Sequence, residues 1–126
     1  MILLTIDEII MVHDKLIKAT GGFSGLRDQG LLESAVLGIN ASFEDAEPYP
    51  TVEEKAARLA YALIGNHAFA DGNKRIGILS MLMTLRLNGI TLQYTQRELV
   101  ELGLFVADGV MGYQDILLWI IQRQHK

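Results

Sequence analysis

The chain contains no cysteine, which rules out disulfides and thiolate metal sites and makes a reducing cytoplasm its simplest home. Proline is nearly absent, with two residues in the whole chain, and half of all residues are apolar, a composition that opposes disorder. No apolar run reaches the ~18–20 residues that a membrane span requires, so no membrane association is expected. An excess of positive charge is missing too. The net charge of -4 argues against a broad nucleic-acid surface, while leaving room for a small local anion site. The opening residues, Met1 to Glu8, have no basic segment and turn acidic at once, unlike a signal peptide. What remains is a chain of 126 residues, enough for one domain with its own core.

Helix starts are written clearly into this chain. Thr-x-x-Glu occurs at Thr5–Glu8, Thr51–Glu54 and Thr95–Glu98, each time before a helical segment, and each fits a capping box. The first helix is expected from about Ile6 to Lys18, with Ile6, Ile9, Ile10 and Ile17 at helical spacing, and is stopped by Thr20-Gly21-Gly22. His13 falls on or near that apolar face and reads as a core or boundary histidine. Asp28 caps a second helix, Gln29 to about Leu37. Ile39 to Pro50 has no helical period and is a surface connection long enough to carry function, and whether it forms a short β-hairpin flap is left open by the sequence. A third helix opens at Thr51 and runs to Gly65. A fourth, Ile76 to Leu87, is apolar on nearly every face except at Ser80, Thr84 and Arg86, as expected of a helix in the centre of a bundle. Ile90 to Tyr94 is short and alternating, and two more helices follow at about Gln96 to Val106 and Tyr113 to Gln124. The chain is expected to be a single all-α domain, a bundle of about six helices around a buried central one.

Between the third and fourth helices lies His67-Ala68-Phe69-Ala70-Asp71-Gly72-Asn73-Lys74-Arg75. First-turn amides of a helix are unpaired and carry partial positive charge, Gly72 permits close backbone approach, and Lys74 and Arg75 add two full charges. That is the composition of a phosphate cradle. Asp71 can hold a divalent cation, since magnesium favours one or two carboxylates plus substrate phosphates. His67 is the natural proton acceptor, because an imidazole titrates near neutral pH. A blander alternative has His67 as a loop histidine, Asp71 as an N-cap, and Lys74 and Arg75 as a solvated first turn. Against it, cations at a helix N-terminus oppose the dipole by some tenths of a kcal/mol each, so two in a row point to an anion. No P-loop pattern occurs, and His13, His67 and His125 are not paired at zinc-ligand spacing.

These nine residues resemble the signature of the Fic/Doc family, and among its branches the death-on-curing (Doc) toxins, whose motif reads H-x-F-x-[D/N]-x-N-K-R. The resemblance extends to chain length, to the Gly-Gly loop after helix one, and to the placement of the motif before a buried helix. Adenylylating Fic proteins carry H-P-F-x-x-G-N-G-R-x-x-R instead; here Lys74 replaces the second glycine and Ile78 the second arginine. The resemblance therefore implies a protein kinase that uses ATP and Mg²⁺ and transfers the γ-phosphate to a threonine of elongation factor Tu, arresting translation. It implies His67 as general base, Asp71 as magnesium ligand and orienter of the target hydroxyl, Gly72, Asn73, Lys74 and Arg75 as phosphate binders, and Phe69 as the packing anchor of the motif. It places a target-docking flap at Ile39 to Pro50, with Phe43 and Tyr49 as contact residues. No inhibitory [S/T]-x-x-x-E-[G/N] motif occurs, so a separate antitoxin, usually of the prevents-host-death type, is implied. A Fic-type adenylyltransferase and a non-catalytic binder of the translation machinery remain the alternatives.

Overall fold

The computed structural model describes residues 1–42 and 46–124, and within them the backbone forms six α-helices. They are α1 (Ile6–Thr20), α2 (Gln29–Gly38), α3 (Val52–Asn66), α4 (Asn73–Leu87), α5 (Gln96–Ala107) and α6 (Tyr113–Gln122). Their starts follow the caps read from the sequence. Thr5 with Glu8 and Thr95 with Glu98 form complete capping boxes. At Thr51 the box is half made: its Oγ1 accepts the Glu54 amide, but the Glu54 carboxylate turns to the Thr51 hydroxyl instead of the backbone. Asp28 accepts the Leu31 amide at 3.0 Å.

Helices α3 and α4 form the spine of the molecule. They are joined by residues 67–72 and approach closely where Gly77 faces Ala60 and Ile64; a methyl group there would lie 2.6 Å from Ile64 Cγ1. The spine divides the interior into two apolar clusters. On one side Leu4, Ile9, Leu32, Val36 and Phe69 pack with Leu59, Leu63 and Ile76, which joins α1 and α2 to the spine. On the other, Leu102, Val106, Ile116, Trp119 and Ile120 pack with Ala57, Ile64, Met81 and Leu85, which joins α5 and α6. Burying a large aliphatic side chain contributes ~1.5–3 kcal/mol, so the two clusters supply most of the stabilisation.

Three boundaries differ from the sequence expectation. Helix α4 begins at Asn73, three residues before the apolar run, because Gly72 takes the left-handed conformation (φ 76°) and turns the polar Asn-Lys-Arg into its first turn. Helix α1 continues to Thr20, whose hydroxyl bonds back to the Leu16 carbonyl. Helix α6 ends at Gln122, after which Leu92 and Gln124 form an isolated antiparallel bridge, so the 90–94 segment is extended. The N-terminal segment is fixed to the far end of α4: Ile2 N donates to Asn88 Oδ1 and Asn88 Nδ2 to Ile2 O, both at 2.7 Å. Among the described residues of the 39–50 connection, Ile39 and Glu47 are held by the buried Lys55, whose Nζ donates to the Ile39 carbonyl and the Glu47 carboxylate at 2.9 Å each. No helix among the described residues is long and apolar enough to cross a membrane.

Candidate active site

Helix α3 ends because His67 adopts the left-handed conformation (φ 54°, ψ 46°), the only non-glycine among the described residues with positive φ. Imidazoles occur there at a strain of ~1 kcal/mol or more, and such strain concentrates at functional sites. Arg27 holds this C-terminus, donating Nε to the His67 carbonyl at 2.7 Å. With its backbone fixed, the His67 side chain is exposed to solvent, ready to meet a second molecule.

The next residues return along the α1–α2 loop. Ala68 O accepts the amides of Arg27 and Asp28, Ala70 N donates to Gly25 O, and Phe69 bridges to Leu26. Phe69 is buried as expected of the anchor, and His13 of α1 stacks on its ring with centroids 3.9 Å apart. Asn73 closes the turn from the other end: its side chain donates to Phe69 O and accepts from Phe69 N, both at 3.1 Å. The Asn73 amide group is therefore occupied with shaping the loop, and only its backbone N–H is left to face outward.

At the start of α4, five donors matter. The first intrahelical bond is Ile76 N to Gly72 O, so the amides of Asn73, Lys74 and Arg75 precede the helix ladder. Helices α1, α2, α3 and α5 have side-chain caps at the N-cap residue; α4 and α6, which both open on a glycine, have none. Lys74 is exposed. Arg75 is aimed: Nη1 donates to Thr20 Oγ1 and to Gly21 O, which leaves Nη2 beside Asp71, 3.9 Å from Oδ1.

Asp71 is half-exposed at this turn, with Oδ1 accepting the Gly72 amide at 2.8 Å and Oδ2 the Phe23 amide at 3.2 Å. The Phe23 amide first, then the Gly72 amide, with Arg75 and His13 adding positive charge nearby, hold its carboxyl below the usual carboxylate range. It stands ionised and acceptor-only, as a magnesium ligand must. Among the described residues no cluster of three or more metal-ligating side chains exists. One carboxylate beside a row of anion-facing amides fits a cation completed by substrate phosphates and water, not an all-protein cage.

The structure thus places His67 at the C-cap of α3, Asp71 and Gly72 in the connection that follows, and Asn73, Lys74 and Arg75 in the first turn of α4. Tyr49 lies elsewhere, edge-on to Tyr113 at 5.2 Å and beside the Arg58 guanidinium, and Phe43 falls outside the described residues. Four contributors were not read from the sequence: His13, Thr20, Phe23 and Arg27. The Gly-Gly loop was the available signal, since a side chain at Gly22 would collide with Asp71 Oδ2 at 2.5 Å.

An all-α domain with a polar H-x-F-x-D-G-N-K-R turn feeding a central helix defines a recognised class, and the sequence profile of the Fic/DOC family matches residues 3–85. The chain belongs to the Fic/DOC family. It is 40% identical over 74 residues to the protein named Toxin Doc of Mycolicibacterium smegmatis, an alignment that spans 59% of this chain and 57% of that protein. It is 31% identical over 110 residues to the Protein kinase doc of Escherichia phage P1, spanning 87% of this chain and 86% of the phage protein.

Proposed function

We propose that this chain is a Doc-type toxin that phosphorylates a protein hydroxyl, with ATP as donor. The observation that carries the reading is the uncapped first turn of α4, flanked by Lys74 and Arg75 and by the ionised Asp71, at the same end of the spine as the exposed His67. A phosphoryl group in transfer carries charge on its equatorial oxygens, and catalysis consists mainly of positioning and neutralising that charge. His67 takes the proton from the target hydroxyl as its oxygen attacks the γ-phosphorus; the bond to the β,γ-bridging oxygen breaks and ADP leaves. The amides of Asn73 to Arg75, the Lys74 ammonium and Arg75 Nη2 stabilise the transferring group. Asp71 would hold Mg²⁺, which supplies charge neutralisation at the phosphates, and would help orient the hydroxyl.

The phage relative's name, Protein kinase doc, supports phosphoryl over adenylyl transfer. So does Lys74, which stands where adenylylating proteins of the family have a glycine that makes room for α- and β-phosphates. The resemblance to Doc toxins supports a threonine of elongation factor Tu as target and translation arrest as outcome. It also supports a separate antitoxin as the restraining partner, of the prevents-host-death type. Phe43 and Tyr49 remain the proposed target contacts of the 39–50 connection.

The test is paired labelling of a bacterial lysate by purified protein with Mg²⁺ and either γ- or α-labelled ATP, each beside His67→Ala. Label from the γ position alone, on one band of the size of elongation factor Tu and lost in His67→Ala, is the expected result. Label from the α position would establish an adenylyltransferase. No label from folded, antitoxin-free protein would leave a non-catalytic binder.

A further inference from the structure

The peptide unit between Asp71 and Gly72 is the pivot of the site. Its N–H belongs to the residue that opens α4, and its carbonyl belongs to the residue that carries the carboxylate. Gly72 has no side chain to resist rotation, and glycine passes between left- and right-handed backbone with little penalty, so this peptide is able to flip. A flip would take the Gly72 N–H from Asp71 Oδ1 and swing the carboxylate away from the first turn.

One side chain from outside the motif grips this peptide. His13, 2% exposed, places Nε2 2.7 Å from the Asp71 carbonyl oxygen. A carbonyl only accepts, so Nε2 carries the proton and donates. The ring is held for this by its stack on Phe69, and it lies directly beneath the turn: a methyl at Gly72 would come within 3.6 Å of His13 Nε2 and 3.0 Å of Ile17 Cδ1. An aliphatic side chain at this position could fill the same space. It could not hold the carbonyl.

We propose that His13 is a positioning residue of the phosphotransfer site, whose Nε2–H locks the Asp71–Gly72 peptide so that the Asp71 carboxylate and the first-turn amides of α4 face the anion together. The inference rests on the phosphotransfer reading for its kinetic consequence, but not for its structural one. His13 touches no substrate; it acts through Asp71 and Gly72.

Two variants separate this role from packing. His13→Phe keeps the ring and its stack on Phe69 but has no donor. His13→Gln gives up the stack and retains an N–H at similar reach. The expected result is that His13→Phe unfolds within a few degrees of wild type, yet its kcat falls at least tenfold, while His13→Gln is less stable but retains kcat within about threefold per folded molecule. The companion measurement needs no catalysis: amide hydrogen exchange by NMR, in which His13→Phe accelerates Gly72 at least tenfold relative to the core amides of α3. Unchanged kcat in His13→Phe, or exchange raised evenly over the domain, would overturn the proposal. Should wild type label nothing, the kinase reading fails, and Gly72 exchange alone decides for or against the role of His13.

Discussion

Gly77→Ala tests how closely the spine must pack for the site to form. By helix propensity alone, alanine in the middle of α4 should stabilise the protein by about 1 kcal/mol. The surroundings reverse the sign. The new methyl would lie 2.6 Å from Ile64 Cγ1 and 3.2 Å from the Ala60 carbonyl oxygen. Ile64 is 1% exposed, and Cγ1 is not the loose end of a flexible chain but part of a β-branched side chain stiff at χ1. Overpacking of this kind costs ~1–3 kcal/mol, so the net expectation is a loss of about 1 kcal/mol. Relief requires α3 and α4 to separate by roughly 1 Å, the shortfall from an ordinary carbon contact. His67 sits at the end of α3 and the first-turn amides at the start of α4, so on the proposed mechanism that separation misplaces base against cradle. A misplacement of ~1 Å can lower a rate about a hundredfold, far beyond what the stability loss removes. Urea unfolding and phosphotransfer at saturating ATP measure the two effects. Gly65→Ala, in α3 with nothing within 4 Å of the new methyl, is the control, with an expected gain of up to about 1 kcal/mol. A Gly77→Ala protein as stable as wild type, or one whose activity falls only with its folded fraction, would refute the reasoning.

Other substitutions probe the turn and its supports. His67→Gly is expected to be more stable than His67→Ala by about 1 kcal/mol in thermal or urea unfolding, because glycine removes the left-handed strain while both lack the imidazole. The depressed folded pKa of Asp71 contributes stability that is complete above the ordinary carboxylate value, ~3.9, and is lost as pH falls through the lower folded value. The unfolding difference between wild type and Asp71→Asn should accordingly be full at neutral pH, shrink in strong acid and vanish below the folded pKa. Lys55→Met should cost ~1–3 kcal/mol, the penalty for stranding the buried Ile39 carbonyl, whereas Glu47→Gln, at a half-exposed carboxylate, should cost less than ~1 kcal/mol. Urea midpoints of the two variants that coincide would contradict that division.

What the sequence made legible was whatever depends on neighbours in the chain. Four helix starts, at Thr5, Asp28, Thr51 and Thr95, are local hydrogen-bond chemistry and came out at the expected residues. The nine-residue cluster was legible because its groups are adjacent. Its start as a helix was obscured, since Asn73-Lys74-Arg75 has no apolar residue to show the period, and only the backbone angle of Gly72 admits it to α4. The role of His13 was hidden for a different reason. Its partner is 58 residues away, and on α1 it shares the buried face of Ile9 and Ile17, so it reads as ordinary core. Arg27 and Thr20 likewise act across 40 and 55 residues. The 39–50 connection was legible only as aperiodic; that a buried lysine ties it to α3 depends on Lys55 lying in the apolar stripe of that helix, where periodicity alone would expect an aliphatic residue.

Because the first residues of the chain hold both ends of α4, α1 at the preceding Asp71 through His13 and the segment before α1 at the closing Asn88 through Ile2, order of synthesis matters. The ribosome releases the gripping residues first and the gripped ones 58 and 86 residues later. At ~5–20 residues per second, roughly 3–20 s pass before the two can meet. During that interval the nascent chain carries no assembled active site. On the proposed function, activity would appear only once most of the domain has been made, which leaves seconds for the proposed restraining partner to bind.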